Sequence, residues 1–227
     1  MNMQIEENHR RILAQIAAAC QRVGRDPAEV TLVAVSKTVG KEEVAAAIAA
    51  GIHDFGENRT SLFTEKQETF PQERWHFIGS IQTNKVKDFV GKAALVHSVA
   101  SERALKEIAK RAQSLGITQK ILLEINVSGE ESKDGATPEE LDGLLDLATE
   151  LEGIEVRGLM TMAPQADADT VRAVFRGLRE LRDSFIASYE AAGRIQLLDL
   201  SMGMSEDFTL AVEEGATIVR IGRSIWL

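Results

Sequence analysis

The chain is 227 residues long, 44% hydrophobic and 27% charged, with a formal net charge of −9. That length and apolar content suit one domain with a full core, so residues 1–227 are expected to form a single unit. The acidic balance repels phosphate backbones and anionic lipid, which argues against nucleic acid and membranes as partners but leaves room for one local basic pocket.

Residues 5–23 carry Ile5, Ile12, Ile16, Ala19 and Val23 at helical spacing. Gly24 ends this helix and Asp26-Pro27 opens a turn. Glu6, Glu7, Arg10 and Arg11 interrupt the apolar stretch that a signal peptide needs, and no run reaches membrane-spanning length, so a cytoplasmic location is expected. Cys20, the single cysteine, excludes an intramolecular disulfide and reads as a small core residue of that helix.

The chain then alternates. Strands are expected at 31–35, 52–55, 75–78, 94–99, 120–127, 156–160, 196–200 and 217–221. Helices are expected between them at 42–50, 59–69, 85–90, 102–115, 138–151, 170–192 and 206–214. About eight strand-then-helix units predict a single (β/α)8 TIM barrel with an extra N-terminal helix. A doubly wound open sheet normally places a glycine-rich phosphate turn after its first strand; here Ser36-Lys37-Thr38 stands there instead.

In such a barrel, function collects at the C-terminal ends of the strands. Those ends carry Ser36-Lys37, Gly56-Glu57-Asn58, Gly79-Ser80, His97-Ser98, Asn126-Val127-Ser128, Met160-Thr161-Met162, Ser201-Met202-Gly203 and Arg220-Ile221-Gly222. Alternation puts Lys37 on the face of Val33 and Val35. An inward lysine fits Schiff-base chemistry, in which a neutral amine attacks an aldehyde; the plainer reading is a loop residue facing water. Arg220 shares a face with Ile218 and can pair with a carboxylate, a phosphate or a ring nitrogen, or simply brace the barrel mouth.

Ser201 to Asp207 and Gly222-Arg223-Ser224 occupy the loops where barrels often hold phosphate. Ser205 reads as the cap of the next helix, with Glu206 and Asp207 in its first turn. Each loop also reads as an ordinary tight turn. His76 and His97 sit in apolar strands and read as satisfied structural histidines; no metal-ligand spacing is present. Arg172, Arg176, Arg179 and Arg182 read as a solvated helix stripe.

Several segments in order carry a resemblance: Val33-Ala34-Val35-Ser36-Lys37-Thr38, Phe55-Gly56-Glu57-Asn58, and Trp75-His76-Phe77-Ile78-Gly79 with Gln82-Thr83-Asn84-Lys85. Then come Asn126-Val127-Ser128-Gly129-Glu130-Glu131-Ser132-Lys133, Gly158-Leu159-Met160-Thr161-Met162, Leu200-Ser201-Met202-Gly203-Met204-Ser205, and Val219-Arg220-Ile221-Gly222. Over nearly its whole length the chain resembles the pyridoxal phosphate homeostasis protein family, related to the N-terminal barrel of alanine racemase.

The resemblance implies pyridoxal 5′-phosphate as cofactor, held as a Schiff base on Lys37. It implies Asn58 beside the cofactor ring, Ser201, Ile221 and Gly222 around the phosphate, and Arg220 facing the pyridine nitrogen. An always-cationic guanidinium there disfavours ring protonation and weakens the ring as an electron sink. Two departures stand out: Arg59 where relatives often carry an aromatic, and Ile225-Trp226-Leu227 at the end. Alanine racemases add a second domain and a tyrosine base, whereas this chain stops at Leu227 and its one tyrosine, Tyr189, lies in a predicted helix. The expectation is a monomeric, non-catalytic carrier in vitamin B6 and amino/keto acid homeostasis, with no catalytic and no metal residues and with apoenzymes as recipients. The alternatives are a weak amino-acid racemase and a Schiff-base aldolase barrel acting on a sugar phosphate.

Overall fold

A computed structural model describes residues 2–130, 133–189 and 193–227. Glu131 and Ser132 of the quoted motif, and the end of the helix expected at 170–192, lie outside the described residues. Helix α1 (Asn2–Arg22) precedes the barrel. The eight strands are β1 (Thr31–Val35), β2 (Asp54–Glu57), β3 (Arg74–Phe77), β4 (Leu95–Val99), β5 (Gln119–Glu124), β6 (Ile154–Met160), β7 (Ile195–Ser201) and β8 (Ile218–Ile221). They pair in parallel, each with the next, and β8 returns to β1 to close the barrel. This is the expected (β/α)8 architecture.

Helices α2 (Lys41–Ala49), α3 (Thr60–Thr69), α4 (Val86–Phe89), α5 (Glu102–Ser114), α6 (Leu141–Glu150), α7 (Ala168–Tyr189) and α8 (Phe208–Glu213) cross between strands. A last turn, α9 (Arg223–Trp226), follows β8 and was not expected from the sequence. Most of the core lies between strands and helices, where Leu32, Ala34, Phe55, Phe77, Val96, Leu123, Leu200 and Val219 are buried. A smaller cluster, Val33, Leu95, Leu122, Met160 and Ile218, lies in the barrel interior. The two clusters follow from strand alternation: one face of each strand points into the lumen and the other to the helices.

Two boundaries differ for physical reasons. The fifth strand stops at Glu124 rather than continuing to Val127, because Ile125 bridges to Ala136 and the Asn126 amide donates to Ala136 O (2.8 Å). Asn126 Oδ1 then accepts from the Gly129 amide (3.1 Å) and Ser128 Oγ (3.0 Å), a side-chain-built turn that competes with the ladder. Helix α8 begins at Phe208, so Glu206 and Asp207 precede it. Ser205 does not cap it; Asp207 Oδ1 instead accepts from the Met204 amide (2.6 Å).

The arginine stripe on α7 is paired rather than only solvated: Arg176 and Arg179 meet Glu214, and Arg172 meets Glu213 and Glu214, tying α7 to the end of α8. Cys20 is buried in the core, as its pattern implied. Among the described residues no helix is long and apolar enough to cross a membrane.

Candidate functional site

A cavity of about 860 Å³ opens at the C-terminal ends of the strands. Lys37, Asn58, Arg220 and Gly222 all line it, beside Val35, Gly79, Met160, Met162, Ser205, Asp207 and Arg223. Four of the six residues singled out from the sequence therefore meet in one place.

Lys37 follows β1 and is exposed on the cavity wall, on the face of Val33 and Val35 as alternation required. Burial by the chain itself is thus not what distinguishes this lysine. Its strand end is pinned from both sides. The Trp226 indole donates to Val35 O (2.7 Å), which gives the divergent C-terminus a structural role. Lys66 on α3 donates to Ser36 O (2.7 Å) and to Glu57 Oε1 (2.5 Å), and Ser36 Oγ donates to the same carboxylate oxygen (2.8 Å). The Lys66–Glu57 pair is almost fully buried behind the strand ends, between β2 and α3.

Asn58 follows β2 and turns into the cavity. Its Oδ1 is buried with no hydrogen-bond partner among the described residues. A buried acceptor without a donor is costly, and none of the described residues donates to this one. Gly79 makes that placement feasible: a Cβ there would sit 2.0 Å from Asn58 O. Stacked Phe55–Trp75 (5.2 Å) and Phe77–Phe89 (4.2 Å) rings hold β2 and β3 against the helices outside.

Arg220 lies at the cavity floor, only 4% exposed. Its Nη1 donates to Ser201 Oγ (2.6 Å), its Nη2 to Thr161 O (3.1 Å), and its amide to Gly203 O (2.9 Å). Burial pulls the guanidinium down to about 10, with Glu124 and Asp207 opposing, so it is cationic at neutral pH. Burial also raises Asp207, while Met204 N–H and Arg220 hold it down in part.

Two expected phosphate residues are placed differently. Ser201 is fully buried beneath the cavity, with its hydroxyl engaged by Arg220 and by His97 (2.8 Å). Ile221 alternates with Arg220, so its side chain packs outward into the main core. The rim serine is Ser205, whose Oγ accepts from the Gly222 amide (3.3 Å). Gly203 (φ 95°) permits this loop: a Cβ there would lie 2.6 Å from Ala211 Cβ.

The sequence also did not single out a polar row inside the barrel. His97 Nε2 meets His76 Nδ1 (2.9 Å), and His76 Nε2 meets Asp54 Oδ1 (3.0 Å). Glu124, on the inward face with Leu122, is pushed up to about 7 by burial and then by Asp134, with Arg220 opposing. The signal was there as inward positions on separate strands, but only the register brings them together.

The alanine racemase N-terminal domain family matches residues 8–227 of the chain. A pyridoxal phosphate homeostasis protein from Aquifex aeolicus is 46% identical over 215 residues, which span 93% of this chain and 92% of the relative. The chain belongs to the pyridoxal phosphate homeostasis protein family. PipY of Synechococcus elongatus, in a structure with PLP bound, superposes with a TM-score of 0.80 at 32% identity over 93% of this chain and all of PipY. An alanine racemase from Corynebacterium glutamicum shares the fold, with a TM-score of 0.74 at 14% identity; this chain spans 98% of itself and 60% of that enzyme.

Proposed function

We propose that this chain binds pyridoxal 5′-phosphate as a Schiff base on Lys37 and serves intracellular vitamin B6 and amino/keto acid balance as a carrier without catalytic turnover. The observation that carries this reading is one cavity wall set holding a primary amine (Lys37), a fixed guanidinium (Arg220) and an orphaned acceptor (Asn58 Oδ1). Relatives from Aquifex aeolicus and Pseudomonas aeruginosa are named pyridoxal phosphate homeostasis proteins.

The donor set fits the group. When bound, pyridoxal 5′-phosphate supplies an aldehyde for the lysine amine and a ring that can take up electrons. Lys37 Nζ offers the amine. Asn58 Oδ1 would accept from a donor of the ring beside it. Arg220, cationic and held by Ser201 and Thr161, would oppose protonation of a ring nitrogen set against it. Ser205, Gly222 and Arg223, which line the cavity, would hold the phosphate there.

The reading of no turnover rests on the place of the one tyrosine. The hydroxyl of Tyr189, the one tyrosine, lies between the carboxylates of Asp142 (2.9 Å) and Asp146 (2.6 Å) on α6, and the residue does not line the cavity. It gives the site no second base for a two-base racemisation. Titration with pyridoxal 5′-phosphate should give the wild type a saturable visible band and Lys37→Ala none, with α-deuterated alanine unexchanged in both. A band that persists in Lys37→Ala sinks the lysine assignment, and deuterium loss that depends on Lys37 converts the carrier into an enzyme.

A further inference from the structure

The polar row inside the barrel is continuous from one mouth to the other. It starts near the N-terminal mouth, where Asp54 on β2 pairs with largely exposed Arg74 on β3. From Asp54 it runs to His76 on β3 (3.0 Å), His97 on β4 (2.9 Å), Ser201 on β7 (2.8 Å) and Arg220 on β8 (2.6 Å), ending at the cavity floor. His97 and Ser201 are fully buried and His76 nearly so.

The donors and acceptors allow one fully satisfied arrangement. Arg220 has only donors, so Ser201 Oγ must accept from it. The serine hydroxyl then donates to His97 Nδ1. His97 carries its proton on Nε2 and donates to His76 Nδ1, and His76 Nε2–H donates to the Asp54 carboxylate. The reverse polarity makes Ser201 accept from both His97 and Arg220, and its own proton then has no acceptor among the described residues. Such a proton in a fully buried place is unfavourable.

We propose that His76 and His97 are positioning residues of the cofactor pocket. In this account, each carries its proton on Nε2, and with Asp54 and Ser201 they form a relay that locks the Arg220 guanidinium towards the cavity. The role assigned to Arg220 rests on the pyridoxal phosphate reading; the tautomers do not. The charged groups around the relay agree with this polarity. Asp54 is held low by His76 and Arg74 against its burial. His97 is driven well below its ordinary value, first by burial and also by the Arg220 charge, which keeps the ring neutral as the relay requires. Glu124 and Asp207 face Arg220 from β5 and the loop after β7.

Two readouts test the proposal. In ligand-free, ¹⁵N-histidine-labelled wild type at neutral pH, His76 and His97 should both be protonated on Nε2 and bare on Nδ1. Either ring in the other tautomer, or doubly protonated, overturns the relay, whatever the fate of the cofactor reading. The second readout separates the relay from ring packing. His97→Gln offers one acceptor and one donor without the ring; His97→Phe keeps a ring without either. His97→Gln should bind pyridoxal 5′-phosphate within about threefold of wild type. His97→Phe should bind roughly tenfold or more weakly, with a displaced visible band, as expected for losing a hydrogen bond that orients a charge. Equal binding and spectra in all three, or rescue by Phe and not Gln, overturns the proposal. A wild type that binds no pyridoxal 5′-phosphate refutes the pocket's assignment instead, and the tautomers then decide the relay alone.

Discussion

Glu124→Gln should make the protein more stable at alkaline pH and leave it unchanged in acid. Glu124 ends β5 on the inward face, is 4% exposed, and is absent from the side-chain hydrogen bonds formed among the described residues. Burial lifts its carboxyl from an ordinary 4.5 to about 7, with Asp134 adding to the lift and Arg220 opposing. The folded chain therefore binds more protons than the unfolded chain between those two values, and stability falls as pH rises through that window. At about 1.4 kcal/mol per pH unit, ionised Glu124 costs the fold on the order of 3 kcal/mol above pH ~7. Gln keeps the shape and removes the charge. Urea unfolding of both proteins from pH 4.5 to 8.5 should show a difference near zero at the acid end and roughly 3 kcal/mol favouring Gln at the alkaline end. A difference that stays constant with pH, or favours Glu at pH 8.5, refutes the placement of a desolvated carboxyl inside the barrel.

Other perturbations have definite signs. His97 is neutral in the fold but protonated in the unfolded chain below its ordinary 6.5, so wild-type stability should fall as pH drops below that value; His97→Gln should lose this slope in the same urea series. Lys66→Met strands the Glu57 carboxylate in the core and should cost about 3–5 kcal/mol, while Lys66→Met with Glu57→Leu should recover much of it. A double-mutant cycle in which the two losses simply add would contradict the buried pair. Gly79→Ala forces a Cβ against Asn58 O and should cost about 1–3 kcal/mol in thermal unfolding and weaken pyridoxal 5′-phosphate binding at the same time.

Much of the barrel was legible because its strands are short β-branched runs and its helices carry apolar residues at helical spacing. Val33, Val35 and Lys37 share a face by alternation alone, and the structure puts Val35 and Lys37 on one cavity wall above Val33 in the lumen. Legibility ended where partners are distant in sequence. The apolar pattern through Ile125 and Val127 read as strand, but the Asn126 side chain and Ala136 capture the backbone groups. Ser201 read as a phosphate residue by its loop; only the β7–β8 packing reveals that Arg220 and His97 occupy its hydroxyl. His76 and His97 look apolar-embedded along the chain because their neighbours Trp75, Phe77 and Val96 face the helices. The row they form needs the register of five strands, β2, β3, β4, β7 and β8, which no single run encodes.

The most direct test of the central claim is borohydride trapping followed by peptide mass mapping of the purified protein incubated with pyridoxal 5′-phosphate. A yellow protein that bleaches and carries one pyridoxyl group on the peptide containing Lys37 is the predicted result. A protein that stays colourless and unmodified, or one labelled at Lys66 or surface lysines with Lys37 untouched, contradicts the account.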